Sequence, residues 1–118
     1  MHNFRELKVW QNARTLVKQI YDISRSLPEN EKYGLIQQIR RSAVSIPSNI
    51  AEGSGKMGNK EFTHFLRISL GSAYELETQL ILAHDLEFIT DNELNNTMDN
   101  IQEIQRMIVG LEKSLANS

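Results

Sequence analysis

Three short stretches carry residue types whose spacing could do chemistry. Gly53-Ser54-Gly55-Lys56-Met57-Gly58 spells GxGxxG, which in dinucleotide sites lets backbone amides approach a pyrophosphate. That site needs a strand before the glycines and a βαβ unit around them, whereas a helical pattern precedes them here. The stretch therefore reads as a helix-ending turn, with Lys56, Lys60 and the amides opening the next helix as a contact for a phosphate. Glu61-Phe62-Thr63-His64 matches the ExxH of di-iron bundles, which requires a second ExxH and two further carboxylates. Ile81, Leu82 and Ala83 precede His84, so the second copy is missing. Along one helix His64 and His84 stand about 30 Å apart and cannot share an ion. His84-Asp85 lacks the other His and Asp residues of metal-dependent phosphohydrolases, and the chain has neither a nucleophile elbow nor a P-loop. With no cysteine, thiolate catalysis and zinc–thiolate sites are excluded. No catalytic residue, cofactor site or metal site is assigned.

Arg40 and Glu77 are more informative. Folding the third helix back on the second about Met57 places Arg40 near residue 74, within one turn of Glu77. Both lie on flanks of their apolar stripes, so the expectation is a partly buried structural ion pair, joined by Arg41 and Glu75 across a subunit boundary. Arg41 also belongs to an outward face with Ser45 and Glu52, which makes it, with Lys56 and Lys60, a candidate contact for nucleic acid or another anion.

Four helices must position these residues. Leu7, Trp10, Ala13, Val17, Ile20 and Leu27 recur at helical spacing and predict a helix over about residues 4–26, ended by Pro28. The five cations Arg5, Lys8, Arg14, Lys18 and Arg25 stud it, and Trp10 reads as an anchor in the core or at an interface. A second helix, about 31–54, buries Leu35, Ile36, Ile39, Ala43, Ile46, Ile50 and Gly53 on one stripe. Its period continues across Pro47, which predicts a kinked helix rather than two; the lost donor costs about 3 kcal/mol unless packing or a side chain offsets it. Asn59 is the expected N-cap of a third helix, about 60–87, with Phe62, Phe65, Leu66, Ser69, Ala73, Leu76, Leu80 and Ala83 as its stripe. This helix also carries Leu70, Tyr74 and Ile81 on one flank and Ile68, Leu82 and Leu86 on the other. A helix so apolar around its circumference is buried on several sides, which predicts subunit contacts. Thr90-Asp91-Asn92-Glu93 fits a capping box opening a fourth helix, about 91–115, with a seam from Leu94 to Leu115.

The fold class is thus all-α, one four-helix-bundle domain over residues 1–118, its short connections alternating the helices up and down. Net charge is −2, yet residues 1–67 hold eleven Lys/Arg against six Asp/Glu, while residues 68–118 hold two against nine. Such asymmetry marks either a basic face for nucleic acid or helices that attract one another within or between subunits. The start has no signal-peptide core, and the apolar runs fall short of the roughly 20 residues needed to cross a bilayer, so a cytoplasmic, non-membrane protein is expected.

Three blocks, LKVWQNARTLVKQIY, LPENEKYGLIQQIRRSAVSIPSNIAEGSG and KEFTHFLRISLGSAYELETQL, together resemble the four-helix-bundle proteins encoded by intervening sequences in bacterial 23S ribosomal RNA genes. These are sometimes labelled S23 ribosomal proteins. The match covers about residues 4–88, and the fourth helix agrees only in pattern. The resemblance implies a left-handed up-and-down bundle, assembly into a ring of five subunits, and no enzymatic activity. It extends to the accessory proteins of diversity-generating retroelements, which bind nucleic acid and a reverse transcriptase and are strongly basic, unlike this mildly acidic chain. Two functions follow as expectations. One is a non-enzymatic homopentameric scaffold for RNA, DNA or a nucleic-acid-processing protein such as a reverse transcriptase. The other is an oligomeric protein–protein adaptor without nucleic-acid contact.

Overall fold

The computed structural model describes residues 2–118, and among them all regular structure is helical. The elements are α1 (Lys8–Ser24), α2 (Leu35–Ser54), α3 (Asn59–Asp85) and α4 (Asp91–Ala116), with short 3₁₀ turns at Phe4–Glu6 and Glu29–Glu31. Each helix packs on two neighbours in the cyclic order α1, α2, α3, α4, and α2 and α3 share the longest seam. Cross-helix bonds fix the directions. Ser42 meets Glu75 and Ser45 meets Ser72 across α2 and α3, while Asn12 meets Met107 and Gln19 meets Asn100 across α1 and α4. Neighbours are therefore antiparallel, in a bundle of 46 × 24 × 20 Å.

Local chemistry sets the helix ends, and in three places it moves them from the expected positions. Helix α1 starts at Lys8 because the preceding residues form a 3₁₀ turn capped by Asn3, after which Leu7 is extended. Helix α2 starts at Leu35, not near Glu31. Glu31 closes a 3₁₀ turn, and its carboxylate accepts from the Leu35 amide at 3.1 Å, capping the helix from outside. Asn59 is not an N-cap. Gly58 holds that position, and the Asn59 amide group instead donates to the Leu115 carbonyl at 3.3 Å and to Ser118 Oγ at 3.0 Å, tying the start of α3 to the end of α4. The Thr90–Glu93 capping box forms as expected, with reciprocal bonds of 2.9 and 3.1 Å. Helix α3 ends in a left-handed residue, Glu87 at φ 64°, and the Phe88 amide reaches back to the Ala83 carbonyl at 2.9 Å. This is the Schellman pattern with a glutamate where glycine is usual.

The core joins Val9, Ala13, Leu16 and Ile20 of α1 to the isoleucines of α2, the Phe62-to-Ala83 stripe of α3 and Ile101, Ile104, Ile108 and Leu115 of α4. In α2 and α3 these are the expected stripes. Helix α1 is turned by about one position: Val9 and Leu16 point inward, while Trp10 and Val17 are half-buried on the flank toward α2.

Two features hold α2 against α3. Pro47 lies inside α2, and side chains donate to three consecutive carbonyls just before it. Ser48 reaches Val44, Asn49 reaches Ser45, and Ser69 of α3 reaches Ile46 in a buried bond of 2.9 Å. Ala43, Ile46 and Ile50 are fully buried on both sides of the proline, so packing offsets the missing backbone bond. Gly53 is the second feature. It is buried inside α2 rather than part of the turn, and a Cβ there would sit 2.7 Å from Phe65 Cβ.

Gly53→Ala should therefore destabilise the fold by about 1–3 kcal/mol through overpacking. Gly110→Ala, mid-helix in α4 with nothing within 4 Å of the added carbon, should stabilise it by about 0.5–1 kcal/mol. Urea unfolding of the two variants checks the opposite signs. Glu87→Gly should stabilise by up to about 1 kcal/mol, as relief of the left-handed strain outweighs glycine's entropy.

Candidate functional site

The seam between α2 and α3 decides where the expected ion pair falls. Ser42 Oγ donates to Glu75 Oε1 at 2.5 Å, and the Ser45 and Ser72 hydroxyls bond at 2.8 Å. Continuing that register puts Arg40 level with Glu77, yet within the chain the two do not pair. Arg40 Nε donates to Ser24 Oγ at 2.8 Å, and its guanidinium lies 4.5 Å over the Tyr21 ring. Glu77 Oε1 accepts from Gln105 Nε2 at 2.8 Å. The separation follows from helix phase. Arg40 is on the flank of α2 that faces α1, and Glu77 is on the flank of α3 that faces α4, so the two flanks leave the seam in opposite directions. The Arg41–Glu75 extension is also unmade within the chain: Arg41 is exposed, and Glu75 holds Ser42.

The three anion-contact residues do not form one site. Arg41 and Lys56 are separated by about 22 Å along α2 and its end. Lys56 is half-buried with its ammonium 5.2 Å from the Phe65 ring centroid. Lys60 is exposed in the first turn of α3, beside His64 and Arg67 and against the end of α4. Arg67 is 3.6 Å from Glu112, so this corner is only partly uncompensated. His64 is exposed and edge-on to Phe65, and among the described residues no cluster of three His, Asp or Glu is placed to hold a metal ion.

A different surface brings cations together. Along the α1–α2 face runs a groove in two sections that meet at Val44. One section is floored by Trp10, Val17, Val44, Pro47 and Ala51, and the other runs past Tyr21, Tyr33 and Ile36. Its charged lining residues are Arg14, Lys32, Arg40 and Arg41, with no carboxylate among them. Three of the four cations lie over aromatic rings of the groove: Arg14 over Trp10 at 5.6 Å, Lys32 over Tyr33 at 5.5 Å and Arg40 over Tyr21. Such contacts are each worth about 0.5–1 kcal/mol where exposed. The sequence carried a partial signal for this row in the Trp10/Arg14 spacing and the Lys32-Tyr33 neighbours. The contribution of Tyr21 and Ser24 carried none, because it depends on α1 and α2 lying side by side.

The other unusual surface is on α3. Tyr74 is 51% exposed, Leu82 48% and Leu86, just past the helix end, 57%, with Ile68 and Ile81 also exposed. Among the described residues no other helix leaves so many large apolar side chains in the open.

Comparison with known proteins places this architecture. The family model for 23S rRNA-intervening sequence proteins matches residues 5–110. Among solved structures, the chain is similar to a protein of unknown function from the S23 ribosomal protein family of Bacteroides thetaiotaomicron VPI-5482. The TM-score is 0.83 at 26% identity, covering 89% of this chain and 98% of that one. No curated protein matches the chain.

The pairing geometry gives a direct test by double-mutant cycles on unfolding free energy. Arg40→Met with Tyr21→Leu should couple by about 0.5–1 kcal/mol. Arg40→Met with Glu77→Gln should be additive within about 0.5 kcal/mol. Coupling of Arg40 to Glu77 above that would mean that the two meet across a subunit boundary.

Proposed function

The chain belongs to the 23S rRNA-intervening sequence protein family, and from that premise we propose that it is a non-enzymatic, homo-oligomeric helical scaffold. Five copies form a ring, and the ring presents cations to RNA, DNA or a nucleic-acid-processing protein. The observation that carries the oligomeric part is the apolar surface of α3, where Tyr74, Leu82 and Leu86 are each about half exposed in the single chain. Leu82 and Leu86 share one flank of α3 with the exposed Ile68, and large apolar side chains left open on one flank mark an interaction surface. The nucleic-acid part is supported by Lys60, exposed in the first turn of α3 beside His64 and Arg67 and away from the groove. A cytoplasmic location, a left-handed bundle and a bend of α2 at Pro47 belong to the same reading; no described helix is long and apolar enough to cross a membrane.

A second reading is an oligomeric adaptor that binds only protein. It is favoured by the net charge of −2 and a pI near 5.9, both of which weaken non-specific attraction to a polyanion.

Light scattering on the purified protein should give five times the 13.6-kDa chain mass. A mass of one chain would reject both readings. Binding to a structured RNA, measured across salt concentration, should give a negative slope of log K against log salt. Lys60→Ala should flatten that slope by about 0.7–0.9 for every phosphate contact removed. A stable ring that binds no RNA even at low salt would leave the adaptor reading standing.

A further inference from the structure

Two surfaces of the single chain are left without partners: the basic groove along α1 and α2, and the apolar ridge on the outside of α3. We propose that they are partners of one another in trans, the groove of one copy receiving the α3 ridge of the next. This rests on the homo-oligomeric reading above and adds which surfaces join and with what polarity.

Charge and apolar surface both match. The groove has an apolar floor, including Val44 and Pro47, beneath cations with no carboxylate beside them. From residue 68 to residue 87 the chain carries Glu75, Glu77, Asp85 and Glu87 and no Lys or Arg. Of these acids, all but Glu77 are exposed. Ile68, Glu75 and Leu82 stand at seven-residue steps and so lie along one line of α3, with Leu86 one turn further on. That line is the α2-facing edge, since Glu75 is the residue that Ser42 holds. A helix with apolar anchors at Ile68 and Leu82, about four turns apart, and an acid midway between them is the complement of a basic groove with an apolar floor. A nucleic acid would satisfy the charge of the groove, but it would leave the α3 ridge unfilled.

The positions of the two surfaces determine what such joints build. They are different patches, so the contact is head-to-tail rather than two-fold. The α1–α2 face and the α2–α3 edge are adjacent sides of the bundle and meet at about a right angle in a square four-helix arrangement. Head-to-tail joints made through adjacent sides turn by about 70–90° per copy and close after four or five, with bundle axes running along the ring axis. Joints through opposite sides would extend into a filament.

The experiment is a mixing test on the full chain. A groove variant carries Arg14→Glu and Val44→Glu, and a ridge variant carries Leu82→Lys and Leu86→Lys; all four positions are exposed. Each variant alone should drop to the mass of one chain by light scattering, with its helical circular dichroism retained. Mixed in equal amounts, they should form a complex of two chains and nothing larger, because one intact groove and one intact ridge remain. If the groove variant does not fold, Ser48→Glu at the exposed rim takes its place. Retention of wild-type mass by either variant, or a mixture that stays at one chain, would overturn the proposal while leaving the oligomeric reading intact. So would a groove variant that keeps its mass but loses RNA binding, since the groove would then hold nucleic acid. A wild type of one-chain mass would remove the oligomeric reading itself, and this proposal with it.

Discussion

Helix α3 passes so close to Gly53 that no side chain fits between them. That approach, continued along the seam by the Ser45–Ser72 and Ser42–Glu75 bonds and by Ser69 reaching the Ile46 carbonyl, is the constraint on which the other placements depend. Small residues let the two backbones come together, and their hydroxyls satisfy one another and a carbonyl in a region where an unpaired polar group would be costly. The seam also accommodates Pro47. A proline in mid-helix is unfavourable in isolation, but here it lies between fully buried isoleucines and beside three carbonyls that take side-chain donors.

Once the seam is set, everything on α2 and α3 is sorted to one side of it or the other. Arg40 turns toward α1, where Ser24 and Tyr21 engage it; Glu77 turns toward α4, where Gln105 engages it. The same sorting concentrates Arg14, Lys32, Arg40 and Arg41 along one groove and leaves Ile68, Leu82 and Leu86 along one ridge. In a chain with a net charge of only −2, this separation of sign into surfaces is what gives the molecule an electrostatic character. It is also why a nearly neutral composition is compatible with recognition of either an anionic ligand or another copy of the same chain.

Much of this was legible in the amino-acid order. The periods of α2, α3 and α4 named their buried stripes, the Thr90–Glu93 box announced the start of α4, and the surplus of apolar residues on α3 reappears as exposed side chains on that helix. The register between α2 and α3 was nearly right as well, since Arg40 and Glu77 do lie level. The misses have local causes. Asn59 has the chemistry of a cap but is drawn to the end of α4, and Glu31 caps α2 from beyond the helix. Val9 and Leu16 compete with Trp10 and Val17 for the inward face of α1, and either pair satisfies a helical period.

What the sequence determined by itself is periodic: how many helices there are, roughly where each begins and ends, and, for all but α1, which stripe is buried. Period is a property of one helix, so it specifies angles about that helix's own axis and nothing about its neighbours. Which flank of α2 faces α1, and which flank of α3 faces α4, was decided only when the four helices took their places around the core. That choice separated Arg40 from Glu77, paired Arg40 with Tyr21, and gathered the groove cations from residues that lie up to 27 positions apart in the chain.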